Sequence, residues 1–274
     1  MALTGMPPGT DADIARVTEA LAMITPRWNA RILLALAGRP LRYSEVAAKM
    51  PWLQPGQLHP KLRHLCESGL VERTEYSGRH VTYEHTARGT ALLPVLPLIS
   101  TWAEAHLEES ERPLPAIEQI EDGLTLLTRR HAAAILWVLK ARQETSGRAL
   151  AQTILPTGEW TNIYPPLRQL VTDGLVDNPG TGQPYRLSAA GQGLAPVLAA
   201  LSAWAAGRPL AQAAQHPLWG RPQKPAASQW VSNPPRPIPA AAPDRTAAGY
   251  SRDLFSHPAA RRVQPALPAG GPRR

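Results

Sequence analysis

Cysteine, phenylalanine and lysine are scarce in this chain of 274 residues. It has one cysteine (Cys66), one phenylalanine (Phe255) and four lysines. A single cysteine excludes an intramolecular disulfide and fits a reducing compartment. No run of 18 or more apolar residues is present, so no membrane span is expected, and no early apolar segment resembles a secretory signal. We therefore expect a cytoplasmic, nucleoid-associated location if the chain binds DNA.

Patterns typical of catalysis and metal binding are also missing. No Ser/His/Asp arrangement, phosphate-binding glycine loop or acidic pair stands out, so no enzyme activity and no cofactor are expected. No Cys/His pair has the spacing of metal ligands, so no metal is expected. Cys66 is predicted to be a buried or half-buried small residue, since no partner that would lower its thiol pKa is visible.

Proline and positive charge are concentrated in the last quarter of the chain. From Arg208 onwards there are ten Arg or Lys and two Asp, which accounts for the whole net charge of +8. The preceding 207 residues are balanced, with 19 basic and 19 acidic side chains. Few large apolar residues occur in 209–274, so this segment is predicted to be a disordered Pro/Arg-rich tail. It could tether DNA in a salt-sensitive way, solubilise the protein or bind a partner.

The stretch from Gln57 to Val71 predicts a helix that runs into a strand. Leu58, Leu62 and Leu65 have helical spacing and mark one buried face. Gly69 is suited to end the helix, and a hairpin is predicted around residues 77–78. The opposite helix face carries hydrogen-bond donors and no acid: Gln57, His59, Lys61, Arg63 and His64. A helix followed by such a hairpin is typical of the recognition helix and wing of a winged helix-turn-helix.

The donor face and its neighbours are the candidate DNA contacts. The five side chains of this face could read base edges in the major groove, or they could be the solvated face of an ordinary helix. Arg73, Arg79 and His80 on the wing could contact phosphate, or be plain surface charge. Tyr43 and Ser44, at the start of a preceding short helix, could aim backbone N–H groups at phosphate, or simply cap that helix.

Other helices are predicted on both sides of this stretch. Residues 11–24 form an amphipathic helix with an acidic first turn. A second helix is predicted to begin at Thr25-Pro26, with threonine as the cap. Thr86 is expected to cap one continuous closing helix that reaches about Glu111. Pro60 inside the recognition helix indicates either a bend or a later start of its regular part.

The whole order of motifs then repeats at a shift of 102 to 109 residues. Thr25–Leu36 matches Thr128–Leu139, Leu62–Val71 matches Leu167–Val176, and Trp102 with its neighbours matches Trp204. Agreement in order, spacing and identity indicates an internal duplication. The predicted divisions are a disordered N-terminus, domain 1, a linker, domain 2 and the tail, at residues 1–10, 11–111, 112–116, 117–208 and 209–274.

The second copy of the recognition segment has a different character. It starts with Glu159 and has no basic residue before Arg168. Thr161, Asn162 and Arg168 are candidate DNA contacts, whereas Trp160 and its apolar neighbours are equally typical of a protein-binding face.

Five segments of the first copy resemble the HxlR-type winged-helix regulators. They lie at residues 24–33, 38–46, 62–71, 81–89 and 93–102 and follow the family order. The resemblance implies a bacterial regulator that binds a promoter as a symmetric dimer through helices outside the DNA-binding core. This chain departs from that pattern because it carries two copies, so its closing helices could pair within one chain. Redox sensors of the family carry an N-terminal cysteine, which is absent here, so thiol sensing is not carried over.

These observations predict a mainly α (α+β) protein with two tandem winged helix-turn-helix domains followed by the tail. The expected function is sequence-specific DNA-binding transcription regulation on double-stranded DNA, as a homodimer or an intramolecular pseudo-dimer. The alternative is a non-catalytic adaptor that binds a protein partner through domain 2 or the tail.

Overall fold

The first half of the protein is a run of short helices with a small antiparallel sheet. The computed structural model describes residues 6–77, 80–107, 114–178, 180 and 182–220. Apolar residues at helical spacing form the inner faces, as predicted. The elements of the first half are α1 (Thr10–Ile24), α2 (Asn29–Ala35), β1 (Leu41–Arg42), α3 (Tyr43–Lys49), α4 (Pro55–Glu67), β2 (Val71–Ser77), β3 (His80–His85), α5 (Ala87–Leu92) and α6 (Leu96–His106).

The second half follows the same order of elements. Its sheet has the strand order β4-β6-β5, which corresponds to β1-β3-β2 in the first half, and all the pairs are antiparallel. Its wing strands are shorter than those of the first half. The elements are α7 (Ala116–Leu127), α8 (Ala132–Arg142), β4 (Glu144–Thr145), α9 (Gly147–Ile154), α10 (Tyr164–Thr172), β5 (Val176–Asp177), β6 (Tyr185–Leu187), α11 (Ala189–Gly193) and α12 (Ala195–Ala205).

The architecture is mainly helical with two small sheets, which is consistent with the predicted winged-helix class. The helices share a buried core that includes α1, α6, α8 and α12. None of the described helices combines the length and apolar character needed to cross a bilayer.

The start of α2 differs from the prediction. The helix begins at Asn29 and not at Thr25-Pro26, because Trp28 adopts a positive φ of 72° that breaks the helical path. His131, the residue equivalent to Trp28, has a φ of 59° at the start of α8. Non-glycine residues pay about 1 kcal/mol or more for this conformation, so surrounding contacts must hold both turns. Next to Trp28, the buried Asn29 amide donates to the Met23 carbonyl at 2.8 Å.

The predicted closing helix is also divided. A 3₁₀ turn at Leu93–Val95 separates α5 from α6, where the single helix over residues 86–111 was expected. Pro94 and Pro97 lack the N–H that a continuous helix needs, which accounts for the break. Thr86 caps α5 as predicted, since its hydroxyl accepts from the N–H of Gly89 at 3.0 Å.

The two halves contact each other through their closing helices, α5 and α6 in the first half and α11 and α12 in the second. The Trp102 indole N–H on α6 donates to the Ala190 carbonyl on α11, and the Trp204 indole N–H on α12 donates to the Arg88 carbonyl on α5, both at 2.9 Å. Both rings are buried. The first helix of each half packs on the closing helix of the other, α1 on α12 and α7 on α6. The two halves thus contact each other through equivalent groups.

The predicted start of the disordered tail is wrong for residues 209–220. A 3₁₀ turn at Leu210–Gln215 follows α12, and Trp219 is buried against Trp137 with ring centroids 5.1 Å apart. The composition of residues 209–220 did not predict this structure, because a single tryptophan supplies most of the apolar surface that the segment buries. Residues 221–274, and the predicted linker up to residue 113, lie outside the described residues.

A buried carboxylate attaches this C-terminal segment to α1. Asp13 accepts from the Ser202 hydroxyl on α12 and from His216 Nε2, which lies 2.7 Å from its second oxygen. His216 Nδ1 accepts from the backbone N–H groups of Leu218 and Trp219 at 3.1 and 2.9 Å, so the ring proton lies on Nε2. Burial alone would raise the pKa of Asp13, but the hydrogen bonds from His216 and Ser202 bring it below its ordinary value of 3.8.

Asp13→Asn should therefore destabilise the protein, and the effect should depend on pH. At neutral pH we expect the free energy of unfolding to fall by about 1–3 kcal/mol, because a charge-assisted hydrogen-bond cluster is lost. The folded-state pKa is lowered, so this stabilisation is complete above pH 3.8 and disappears as the pH falls through the folded-state value. Urea unfolding across this range measures it, with Glu19→Gln as an exposed control on α1. A wild-type advantage that persists unchanged in acid would contradict this assignment.

Candidate nucleic-acid interface

The predicted recognition helix is α4, and its regular part begins at Pro55 rather than near Pro60. Leu58, Leu62 and Leu65 are buried, as their spacing predicts. Pro55 stands at the first helical position, where its missing N–H is unpaired anyway. The helix continues across Pro60 to Glu67.

The five donor side chains of α4 do not share one environment. Gln57, His59 and Arg63 are exposed, whereas Lys61 and His64 are half-buried. The Gln57 side-chain oxygen lies 3.3 Å from the Gln54 backbone N–H, so it turns back towards the helix start. His64 Nε2 is buried without a partner, and burial lowers the pKa of Lys61. His59 and Arg63 are thus the members of this face that point most freely away from the protein.

Tyr43 positions the recognition helix. Its half-buried hydroxyl donates to the Pro55 carbonyl at 3.2 Å, which joins α3 to the first turn of α4. Ser44 is exposed but is not the cap of α3, because the helix begins at Tyr43 and Arg42 occupies the cap position. The Glu45 carboxylate closes this helix start by accepting from the Arg42 backbone N–H at 2.7 Å. Glu45 also accepts from the Arg39 guanidinium at 2.8 Å.

Arg42 is a candidate that the sequence analysis missed. Its exposed guanidinium lies 3.0 Å from His80 Nδ1, so it connects the start of α3 with the wing. The sequence signal was its place just before the predicted helix start, next to Tyr43. The contact itself depends on the pairing of β1 with β3, which the sequence does not display.

The wing is the β2–β3 hairpin. Arg73 is exposed and donates to Glu75 at 3.1 Å, so a neighbouring carboxylate offsets part of its charge. Tyr76 is 67% exposed near the tip and meets the His80 ring edge-on at 5.4 Å. Arg79, the third wing candidate, lies outside the described residues. The wing and the start of α3 therefore add Arg42, a partly neutralised Arg73 and the His80 ring to the polar side chains beside α4.

The equivalent surface of the second half is built differently. The segment that was predicted to be its recognition helix begins as a 3₁₀ turn, Trp160–Ile163, and α10 starts only at Tyr164. Thr161 and Asn162 are exposed on that turn, and Arg168 is exposed on the helix. Trp160 is 54% exposed and lies edge-on to Tyr164 at 5.9 Å. This surface is aromatic where that of the first half is basic.

Cys66 is half-buried at the end of α4. Burial raises the pKa of its thiol, and the carboxylate of Glu67 acts in the same direction against the opposing charge of Arg73. The protonated thiol therefore predominates at neutral pH, as expected for a packing residue.

The Asp13, Ser202 and His216 cluster has the residue types of a catalytic triad without its connectivity. Ser202 donates to the carboxylate and not to the imidazole, and His216 Nδ1 already accepts two backbone N–H groups. No base is thus in place to activate the serine. In the part of the chain that the structure describes, no three His, Cys, Asp or Glu side chains gather as a metal site.

Sequence comparisons with known proteins place the resemblance to a helix-turn-helix family in the first half of the chain. Residues 23–111 match a family model described as HxlR-like helix-turn-helix. The chain is similar to an uncharacterized HTH-type transcriptional regulator of Methanothermobacter thermautotrophicus, with 30% identity over 112 residues, 39% of this chain and 86% of that relative. It is 33% identical to the uncharacterized HTH-type transcriptional regulator YvaP of Bacillus subtilis over 97 residues, 35% of this chain and 90% of the relative. YodB, an HTH-type transcriptional regulator of Bacillus subtilis, is 28% identical over 98 residues, 35% of this chain and 88% of the relative. No solved structure matches the chain.

Tyr43→Phe tests whether the phenol hydroxyl anchors α4. We expect the free energy of unfolding to fall by about 0.5–1.5 kcal/mol, since one hydrogen bond is lost without a change in packing. Chemical denaturation measures the change, and Tyr76→Phe serves as the exposed control with an effect below about 0.5 kcal/mol. Equal effects of the two substitutions would remove the anchoring role from Tyr43.

Proposed function

Since this chain belongs to the HxlR-like helix-turn-helix family, we propose that it is a sequence-specific DNA-binding transcriptional regulator with its reading surface in the first half. The observation that carries the proposal is the exposed, acid-free face of α4 beside the wing, inside the segment that matches the family. Its relatives are named HTH-type transcriptional regulators. DNA binding would place the protein at the nucleoid.

The proposed contacts follow from exposure and charge. Helix α4 enters the major groove with Gln57, His59 and Arg63, while Lys61 and His64 lie at its edges. Arginine and lysine suit guanine, and glutamine suits adenine. Phosphate contacts come from the wing and the start of α3. They are assigned to Arg42, Tyr43, Ser44, Arg73, Arg79 and His80.

We further propose that the two halves are tandem winged-helix domains and act as a pseudo-dimer. Residues 11–111 and 117–208 form the domains, and the segment up to residue 220 belongs with the second. The matched order of elements supports an origin by duplication. The reciprocal indole hydrogen bonds of Trp102 and Trp204 support the pseudo-two-fold pairing, because each half supplies the same group to the same place on the other.

We propose that the second half mainly positions the first half in the pseudo-dimer and contributes less to the reading of bases. Thr161, Asn162 and Arg168 are its exposed polar side chains, but the exposed Trp160, packed edge-on against the half-buried Tyr164, gives the surface an aromatic character. This aromatic surface favours the one competing function, an adaptor that binds a protein partner through the second half. An adaptor would not discriminate between DNA sequences.

The test is genome-wide crosslinking of tagged protein to DNA, followed by titration of the recovered fragments. The Lys61→Ala/Arg63→Ala variant should lose sharp peaks that share a motif, and its affinity should fall about 10- to 100-fold for each lost contact. Affinity of the wild type should drop steeply with salt, because bound phosphates release counterions. Arg168→Ala is the matched control, since it changes the residue equivalent to Arg63 in the second half and should have a smaller effect.

Broad or absent peaks that the Lys61→Ala/Arg63→Ala variant leaves unchanged would contradict the regulator proposal. Binding that ignores sequence, together with capture of a protein through Trp160, would support the adaptor instead. A loss for Arg168→Ala as large as that for Lys61→Ala/Arg63→Ala would assign reading to both halves.

A further inference from the structure

The contact between α2 and α7 in the first half and the equivalent contact between α8 and α1 in the second half are built from different side chains. We call each of these two contacts a junction. In the first half, the Arg31 guanidinium on α2 binds the Glu121 carboxylate on α7 through both oxygens, with N–O distances of 2.9 to 3.0 Å. Both side chains are mostly covered by the surrounding protein. Trp28, three residues before Arg31, is half-buried and packs against the core.

The equivalent junction in the second half, between α8 and α1, lacks all three large side chains. Position 134, equivalent to Arg31, is alanine, and position 18, equivalent to Glu121, is threonine. His131 replaces Trp28. A cavity of about 290 Å³ lies at this place. The cavity thus lies where the second half has smaller side chains than the ion pair and the indole of the first half.

The walls of the cavity are apolar with a basic side. They are formed by Ile14, Thr18, Leu21, Ala22, Leu127, Thr128, Arg129, His131, Ala132, Ala133 and Ala134. No carboxylate lines it, while Arg129 brings a guanidinium. The Asp173 carboxylate, at the residue after α10, accepts from Arg129 Nε at 3.2 Å and offsets part of its charge. Burial, and next the charge of Arg130, lower the pKa of His131, so its ring is a neutral hydrogen-bonding group.

We propose that this cavity binds a small carboxylate with an apolar body, such as an aromatic acid. The body lies on the alanines of α8 and on Leu21 and Leu127, and the carboxylate pairs with Arg129. The volume is at the low end of the range of about 300–1,000 Å³ for ligand pockets, which favours a small molecule. The pairing of an apolar wall with a few polar groups is the usual composition of such sites. The site does not depend on the proposed DNA-binding function.

Calorimetric titration of the full chain with 1-naphthoate and with neutral 1-naphthalenemethanol tests the proposal without DNA. Wild type should bind naphthoate with a Kd of roughly 100 µM or tighter and the neutral probe at least about tenfold more weakly. Arg129→Gln should remove the preference for the carboxylate but keep the binding of the neutral probe. Arg129→Lys, which keeps the charge, should retain part of the preference.

A variant that fills the cavity with an ion pair tests whether the probes bind in the cavity. Thr18→Glu/Ala134→Arg copies the Arg31–Glu121 pair into the second half and should abolish binding of both probes while the protein stays folded by circular dichroism. If that variant does not fold, Ala134→Leu fills the same space with an apolar side chain and should have the same effect. Failure of both probes to bind wild type, or binding that survives in a folded filled variant, would overturn the proposal. Glu19→Gln, exposed on α1, should leave the titrations unchanged.

Discussion

The arrangement of the whole molecule depends on two buried indole N–H groups that each find a carbonyl in the opposite half. A buried indole N–H that lacks a partner costs about 1–3 kcal/mol, so the hydrogen bonds of Trp102 and Trp204 favour the packing of each closing helix against the other half. The packing between the halves also buries α12, which is apolar along nearly its whole length. Neither closing helix could be left exposed to water, and together they set the relation between the two wing-bearing surfaces.

On this symmetric scaffold the side chains have diverged. The first half combines the partly exposed donor face of α4 with His80 on the wing and Arg42 at the start of α3. At the equivalent place, the second half has an aromatic 3₁₀ turn around Trp160. The inner junctions differ as well, since one holds the Arg31–Glu121 ion pair and the other a cavity. We propose that the reading of DNA and the binding of a small acid belong to different halves.

Much of the local structure could be predicted from the sequence. The spacing of Leu58, Leu62 and Leu65 located the recognition helix, and the repeated motifs located equivalent elements in the second half. The positive φ of Trp28, the hydroxyl of Tyr43 on Pro55 and the contact of Arg42 with His80 could not be predicted, because each depends on chain segments brought together by the fold. The prediction of disorder for residues 209–220 was wrong for a related reason. Composition averages over a segment, whereas Trp219 and His216 act through single long-range contacts with Trp137 and Asp13.

We propose that a single chain provides a two-fold arrangement on DNA through its own two halves. Native mass spectrometry of the full chain, free and on a duplex recovered by crosslinking, measures this most directly. The account predicts a monomer in solution and one chain on each duplex, with Trp102→Ala/Trp204→Ala variants losing the folded state or the complex. A stable dimer of chains in solution, or two chains required on every bound duplex, would contradict it.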